Sequence, residues 1–356
     1  MRILLIGEFS GFHRYLKEGL LEIGNDEITL VSNGDGTRQI GGADLPIYPV
    51  GIDGNNRFRA LRKNKKIIRS LCGYDMVQFI NTNVYPAYYN EWVIDYIKEN
   101  NRCLSLVSAG DDYALHRAYE SGCFEYYIFD YIPMINFNRQ TMRGRLQIKS
   151  ALHMERSADI IIPICYEYSK GYTDGKRYKA LPIPINTDAV KYQENIVDDK
   201  VIFFHGITRE MEKGTPTIRL ALERLKRDYP NDVEVIMDGN MPFEQYLNVL
   251  KKTNVVIDQC NGYSYGVNAC LAMAQGKVTL SGFRQECLEA LGVADCPGIS
   301  IKPSVEQIYS QLCYVVEHRK DIPEWGYNSR KYIEENHHYV KVAQAYLEAW
   351  KSTGKL

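Results

Sequence analysis

The chain has 356 residues and a formal net charge of −1, with a pI near 6.7, so no overall positive field draws it to nucleic acid and any basic function must sit in a local patch. Hydrophobic residues make up 45%, enough for two cores, and the length suits two domains of a globular protein. Nine scattered cysteines, never arranged as C-x-x-C, argue against a disulfide framework or a thiolate zinc site and fit a reducing compartment. No apolar run approaches the roughly 18 residues of a membrane span, and Met1 to Ile6 is too short for the apolar region of a signal peptide, which predicts a cytoplasmic protein.

Arg2 to Ile6 reads as a first strand ending in Gly7-Glu8-Phe9-Ser10-Gly11, and Phe12, Tyr15, Leu16, Leu20 and Ile23 then form the apolar stripe of a helix. Ile28 to Val31 is the second strand. This opening lacks the three-glycine G-x-G-x-x-G pattern, and Ser32 and Asn33 stand where a ribose-binding carboxylate would be, which argues against a nicotinamide enzyme. The small-residue turn admits a substrate close to the backbone, although its plainer reading is a tight connection. From Arg57 to Arg69 the sequence RFRALRKNKKIIR carries seven cations and no acid. Phe58, Leu61 and Ile68 on one face would make it a basic amphipathic helix suited to an anionic membrane surface, the plainer reading being a solvated face.

Met76 to Ile80 and Cys103 to Val107 are further strands, leading into Asn81-Thr82-Asn83 and Gly110-Asp111-Asp112. Both loops lie at strand carboxyl ends, where ligands bind in open α/β sheets. Asp111 and Asp112 are candidates for a general base, and Asp111 could equally cap the next helix. The aromatics between Tyr113 and Tyr131 read as a packed layer or as sugar-stacking faces. Arg139, Arg143, Arg145 and Lys149 add a second basic segment, helical through Leu152, before a buried strand at Ala158 to Ile164. Pro182 and Pro184 force an extended exit from the first domain.

The second half opens on Val201 to Pro216, VIFFHGITREMEKGTP: a buried strand breaking at His205-Gly206, a polar loop with exposed Arg209 and Lys213, then a helix capped by Thr215 with Ile218, Ala221, Leu222 and Leu225 on one face. A glycine turn, two cations and a helix N-terminus at the carboxyl end of a sheet suit a diphosphate, the plainer reading being solvated cations. Strands follow at Val233 to Met237, Asn254 to Asp258, Lys277 to Leu280 and Ile299 to Ile301. Phe243, Tyr246, Leu247 and Leu250 stripe one intervening helix, and Ser304 with Gln307 makes a capping box for another. The alternation predicts two α/β domains facing across a cleft.

The order of these motifs resembles the glycosyltransferases of family four. The residues that carry the resemblance are the early glycine loop, Pro184-x-Asn186-x-Asp188, Gly206, Arg209, Lys213-Gly214, Asp238-Gly239, and Tyr265-Gly266-Val267-Asn268 before Ala272-Met273-Ala274-Gln275-Gly276. The resemblance implies the GT-B fold: two Rossmann-like doubly wound domains, with an acceptor-side domain at 1–186, a linker at 187–200, a nucleotide-sugar domain at 201–335, and a C-terminal helix at 336–356 crossing back to the first domain. It implies transfer of a sugar from a nucleoside-diphosphate donor to a glycan or lipid-linked acceptor, as in polysaccharide biosynthesis, without a metal or other cofactor. Arg209 and Lys213 would hold the donor diphosphate beside Gly206, with Gly266, Val267 and Asn268 facing the distal phosphate and sugar. Glu8, Ser10, Gly11 and Asn81 would line the acceptor side, and the cytoplasmic protein would touch the inner membrane face through residues 57–69.

Two departures stand out. The family's paired glutamates fall on Tyr263 and Leu271, and its histidine after the strand at Cys103 to Val107 is replaced by Gly110-Asp111-Asp112. Asp258 and the Asp111-Asp112 pair are the carboxylates left to compensate. A non-catalytic GT-B-like protein that binds sugar nucleotide or glycan therefore stands as the alternative, with a sugar-nucleotide epimerase on the same plan as a third reading.

Overall fold

The computed structural model describes residues 1–24, 27–33, 41–49, 54–172, 175–239, 241 and 243–356. The side chains of residues 54–56, 243, 244 and 247 lie outside that description, and with them Phe243 and Leu247 of the stripe expected there. In chain order the first elements are β1 (Ile3–Ile6), α1 (Phe12–Glu22), β2 (Ile28–Ser32), β3 (Leu45–Pro46), α2 (Gly54–Ser70), β4 (Met76–Phe79), α3 (Ala87–Asn100), β5 (Cys103–Ser108), α4 (Tyr113–Glu120), α5 (Met142–Ser157), β6 (Ile160–Pro163) and α6 (Tyr166–Lys170). There follow β7 (Val201–Ile207), α7 (Glu210–Lys213), α8 (Thr215–Asp228), β8 (Val233–Gly239), α9 (Phe243–Lys252), β9 (Val255–Ile257) and α10 (Val267–Ala274). The last are β10 (Val278–Ser281), α11 (Gln285–Leu291), β11 (Ile299–Ser300), α12 (Val305–Glu317), α13 (Ile322–Asn336) and α14 (Tyr339–Lys351).

The chain divides into two compact units, one of Met1–Cys123, Met134–Pro184 and Tyr339–Leu356, the other of Phe124–Pro133 and Ile185–His338. Each is a parallel sheet with helices. In the first unit the strand order is β3-β2-β1-β4-β5-β6, with Ile3 opposite Ile28 on one side and Met76 on the other. The order reverses between β1 and β4, so the loops after those two strands diverge and open a crevice at the sheet's carboxyl edge. In the second unit the order is β11-β10-β9-β7-β8, with the reversal between β7 and β9 and Phe203 opposite Val255.

The strands form where parallel sheets need them, in apolar runs buried on both faces, such as Ile3–Ile6 and Val255–Ile257. The stripe of α1 buries Phe12, Tyr15, Leu16 and Leu20, while α8 buries Ile218, Ala221, Leu222 and Leu225. A side chain at Gly19 of α1 would collide with the Tyr339 carbonyl, so glycine lets α14 lie close against α1 within the first unit.

Local readings differ from the structure at three places. Gly214, with φ of 75°, precedes α8 where Thr215 was expected as the cap, and a Cβ there would strike Cys260 and Asn261. The strand β7 runs through Gly206 to Ile207, because β8 pairs with it as far as Gly239. Phe58 is 77% exposed while Ala60, Asn64 and Ile68 are buried, so the core face of α2 is set by those residues and Phe58 stands outside it.

Candidate functional site

The carboxyl edge of the second unit gathers the loops after β7 and β9. Arg209 sits in the left-handed region, φ 54° and ψ 65°, a conformation that costs a non-glycine residue about 1 kcal/mol or more. Its side chain is exposed and has no ion-pair partner among the described residues. Lys213, four residues on, is buried, and its Nζ donates to Asp258 Oδ1 at 2.7 Å, with both side chains at most 5% exposed. Burial pushes the Asp258 carboxyl up, but the charge and hydrogen bond of Lys213, with the Gly266 amide, outweigh it and hold the group below its ordinary range. The expected pair of exposed cations is therefore one exposed arginine and one buried lysine already engaged by a carboxylate.

His205 lies beneath this pair. Its Nδ1 is 2.8 Å from the Ile257 carbonyl, which can only accept, so Nδ1 carries the proton and the Thr215 hydroxyl donates to Nε2 at 2.8 Å. Burial pushes this histidine down to about 4, leaving it neutral. The N-cap of α10 is Gly266, which has no side chain; its amide serves the Asp258 carboxylate, and Val267 and Asn268 open the helix. Asn268 lies near Gly206 and accepts from the Tyr246 hydroxyl at 3.2 Å. The edge thus presents the exposed guanidinium of Arg209 and the start of α10 after Gly266, a cation and a helix N-terminus suited to phosphate oxygens.

The first unit's edge is organised by its β1 and β4 loops. Gly7 and Gly11 both have φ of 88° and Ser10 has φ of 54°. Glu8 folds back into this turn, accepting the Arg14 amide on Oε2 at 2.8 Å, while Oε1 is buried without a partner among the described residues. Burial pushes the Glu8 carboxyl up to about 7 against the lowering effect of backbone amides at Arg14, His13 and Gly11. Asn81 donates to the Ala109 and Asp111 carbonyls at 2.6 and 3.0 Å, stapling the β4 loop to the β5 loop, so its amide is spent on structure.

Asp111 and Asp112 have different surroundings. Asp112 is 1% exposed, caps α4 through the Ala114 amide at 3.1 Å, and accepts from Ser108 at 2.7 Å and Tyr172 at 2.9 Å. Burial outweighs those bonds and pushes its carboxyl up. The cap expected at Asp111 thus falls on Asp112. Asp111 is 43% exposed and accepts from His116 Nε2 at 2.6 Å and from Asn136 at 2.5 Å. Its burial raises the carboxyl pKa, but these donors and the His116 charge together hold it low.

No family model matches the chain, and no curated protein matches it. Solved structures do. A sucrose-phosphate synthase from Thermosynechococcus elongatus matches over 99% of both chains with a TM-score of 0.65 and 13% identity. HepE from Anabaena, in complex with UDP and glucose, matches over 99% of this chain and 100% of its own, with a TM-score of 0.61 and 12% identity. A UDP-GlcNAc 2-epimerase from Neisseria meningitidis bound to UDP-GlcNAc covers 98% and 99%, at 0.54 and 12%. The chain has the GT-B fold.

On this GT-B chain the two positions without glutamate have different neighbours. Leu271 sits partly buried in α10. Tyr263 is 3% exposed and stacks on Tyr126 with ring centroids 5.2 Å apart, its hydroxyl accepting the Glu125 amide at 2.7 Å. A carboxylate in that aromatic setting would be desolvated without a cation in the stack other than Arg284, 5.0 Å above the ring. In the sequence this arrangement shows only as the run of aromatics from Tyr113 to Tyr131.

Proposed function

We propose that the protein is a glycosyltransferase that uses a nucleoside-diphosphate sugar, with the donor diphosphate at the β7–β9 switch point of the second unit. The observation that carries this reading is the exposed, strained Arg209 in the loop after β7, at the same carboxyl edge as the start of α10. The nucleotides named in the HepE and epimerase structures support the same ligand class. Arg209 acts on the leaving group. As the sugar bond breaks, charge accumulates on the departing diphosphate, and a fixed guanidinium then stabilises the transition state more than the ground state. Lys213 is neutralised by its buried pair with Asp258 and acts here by fixing the loops after β7 and β9 to one another.

On the acceptor side the reading uses Asp111, the exposed member of the aspartate pair, oriented by His116 and Asn136. Asp112 supports α4, and Glu8, Ser10 and Gly11 shape the neighbouring turn. The acceptor is a glycan or a lipid-linked acceptor, and the exposed cations of α2 contact an anionic membrane. That helix presents Arg57, Arg59, Arg62, Lys63, Lys65, Lys66 and Arg69 with no salt bridge among the described residues, together with the exposed ring of Phe58.

Tyr263, Leu271 and the engagement of Lys213 by Asp258 favour a second reading, a GT-B protein that binds sugar nucleotide without turning it over. Turnover separates the two. Titrating nucleotide sugars against thermal stability and measuring hydrolysis and transfer gives, on the first reading, stabilisation by one donor and release of its nucleoside diphosphate. Stabilisation without any release selects the second reading, and no stabilisation by any nucleotide rejects both.

A further inference from the structure

The segment Phe124–Pro133 is continuous in chain with the first unit at both ends yet packs as part of the second. Its rings stack on Tyr263: Tyr126 at 5.2 Å and 22°, Phe124 at 5.6 Å, with the Arg284 guanidinium 5.7 Å from the Tyr126 ring. The segment holds its own shape through a 3-10 turn at Ile128–Asp130, where the Tyr127 amide donates to Asp130 at 2.8 Å. That turn packs against α7, the short helix that starts after Arg209 and ends on buried Lys213. The loop on which the rings rest is tied to α7 as well, the Cys260 amide donating to the Lys213 carbonyl at 3.0 Å and Asn261 to the Met211 carbonyl at 2.9 Å. The segment therefore packs on the short helix that follows Arg209.

The closed arrangement leaves some polar groups unsatisfied. The Tyr126 hydroxyl is buried without a hydrogen-bond partner among the described residues, and so is the Thr208 hydroxyl next to Arg209. The ion pairs of Glu125, to Arg284 at 3.7 Å and Lys302 at 4.0 Å, are long, and Glu125 is 62% exposed, so they add little. Just before the segment, Gly122 has φ of 74° and open space around its missing side chain, a position able to absorb rotation. The segment is held by ring stacking together with the Glu125 amide, which donates to the Tyr263 hydroxyl at 2.7 Å, so a single residue, Tyr263, receives both the stack and the hydrogen bond.

We propose that Phe124–Pro133 is a gate over the diphosphate site, latched by the Tyr126–Tyr263–Arg284 stack and released when a nucleoside diphosphate binds. The proposal rests on the donor-site reading above. Opening frees the Tyr126 hydroxyl for water, uncovers α7 and gives phosphate oxygens access to the Thr208 hydroxyl beside Arg209. Tyr263, standing where the resemblance placed a carboxylate, is then a latch. Binding to a gated site is weakened by the fraction of molecules that are open, so weakening the latch tightens binding without adding a contact to the ligand.

The test is calorimetric titration of the full chain with UDP, GDP and ADP, in wild type, Tyr126→Ala and Arg284→Gln, together with hydrogen exchange of the amides at 124–131 with and without nucleotide. The gate predicts that both variants bind the preferred nucleotide about tenfold tighter than wild type, and that exchange at 124–131 quickens in the wild-type complex. Equal or weaker binding by both folded variants, with exchange unchanged or slowed by nucleotide, makes the segment a fixed wall and overturns the gate while leaving the donor site standing. No binding of any of the three nucleotides to any of the folded proteins removes the donor site and the gate together.

Discussion

Replacing Lys213 by Met tests whether this lysine is a ligand-facing cation or half of a structural pair. The 2.7 Å bond to Asp258 lies between side chains 5% and 2% exposed, so the substitution leaves a buried carboxylate with only the Gly266 amide and a long contact to Ser281 at 3.4 Å. Breaking a buried pair from one side costs about 3–5 kcal/mol, because the remaining charge is uncompensated. Lys213→Met should therefore lower urea-unfolding stability at pH 7 by about that much, and the double variant Lys213→Met with Asp258→Asn should recover most of it. The pH dependence should reverse as well. In wild type the Asp258 carboxyl is held below its ordinary value, so its contribution is present above the unfolded pKa and lost as pH falls through the folded one. In Lys213→Met the largest lowering influence is gone, burial outweighs what remains, the carboxyl pKa rises, and stability should improve as pH falls through the raised value. Arg209→Ala is the control: exposed and unpaired among the described residues, it should change stability by less than about 0.5 kcal/mol while weakening nucleoside-diphosphate binding about tenfold. If Lys213→Met unfolds like Arg209→Ala, with no reversal of the pH slope, the pair contributes nothing and the reasoning fails.

Asp111→Asn should cost no more than about 1 kcal/mol of stability, the size of a part-exposed pair with His116, and lower sugar transfer about a hundredfold, whereas Asp112→Ala should cost more stability through the lost α4 cap and the stranded Ser108 and Tyr172 hydroxyls, with activity following folded protein; a melting curve beside each turnover assay distinguishes them. Reversing Lys63, Lys65 and Lys66 to Glu should abolish sedimentation with anionic vesicles and leave nucleotide binding intact, and equal sedimentation of both proteins would make the α2 face merely solvated. Lys277 is 1% exposed, its Nζ has the Lys251 carbonyl at 3.5 Å, and burial pushes its pKa down to about 8. The unfolded chain binds the extra proton between about pH 8 and 10.5, so wild-type stability should rise with pH across that window; Lys277→Met should flatten the rise and stabilise the protein at pH 7 by about 3 kcal/mol, measured by urea unfolding.

Strand positions were legible in the sequence because a strand buried on both faces needs an uninterrupted apolar run, as at Ile3–Ile6 and Val255–Ile257. The amphipathic faces of α1 and α8 were legible for the same local reason, and so was the glycine-rich turn after β1. Phe58 shows the limit, since a helical face is defined by what packs against it, and α2 turns Asn64 inward and Phe58 out. The pairing of Lys213 with Asp258 joins residues 45 apart, and only the crossover that sets β9 beside β7 brings them together. Tyr263 reads in the sequence as a missing carboxylate, whereas the fold places it against a segment 138 residues earlier that the chain order assigns to the other half. Trp350 donates to Gln78 at 3.0 Å across 272 residues, and Gln78 in turn donates to His13, which holds the Gly7 carbonyl at 2.7 Å. Local sequence sets period, caps and turns because those depend on neighbours a few residues away; which buried polar group meets which partner depends on strand order and on distant segments, and there tertiary structure alone decides.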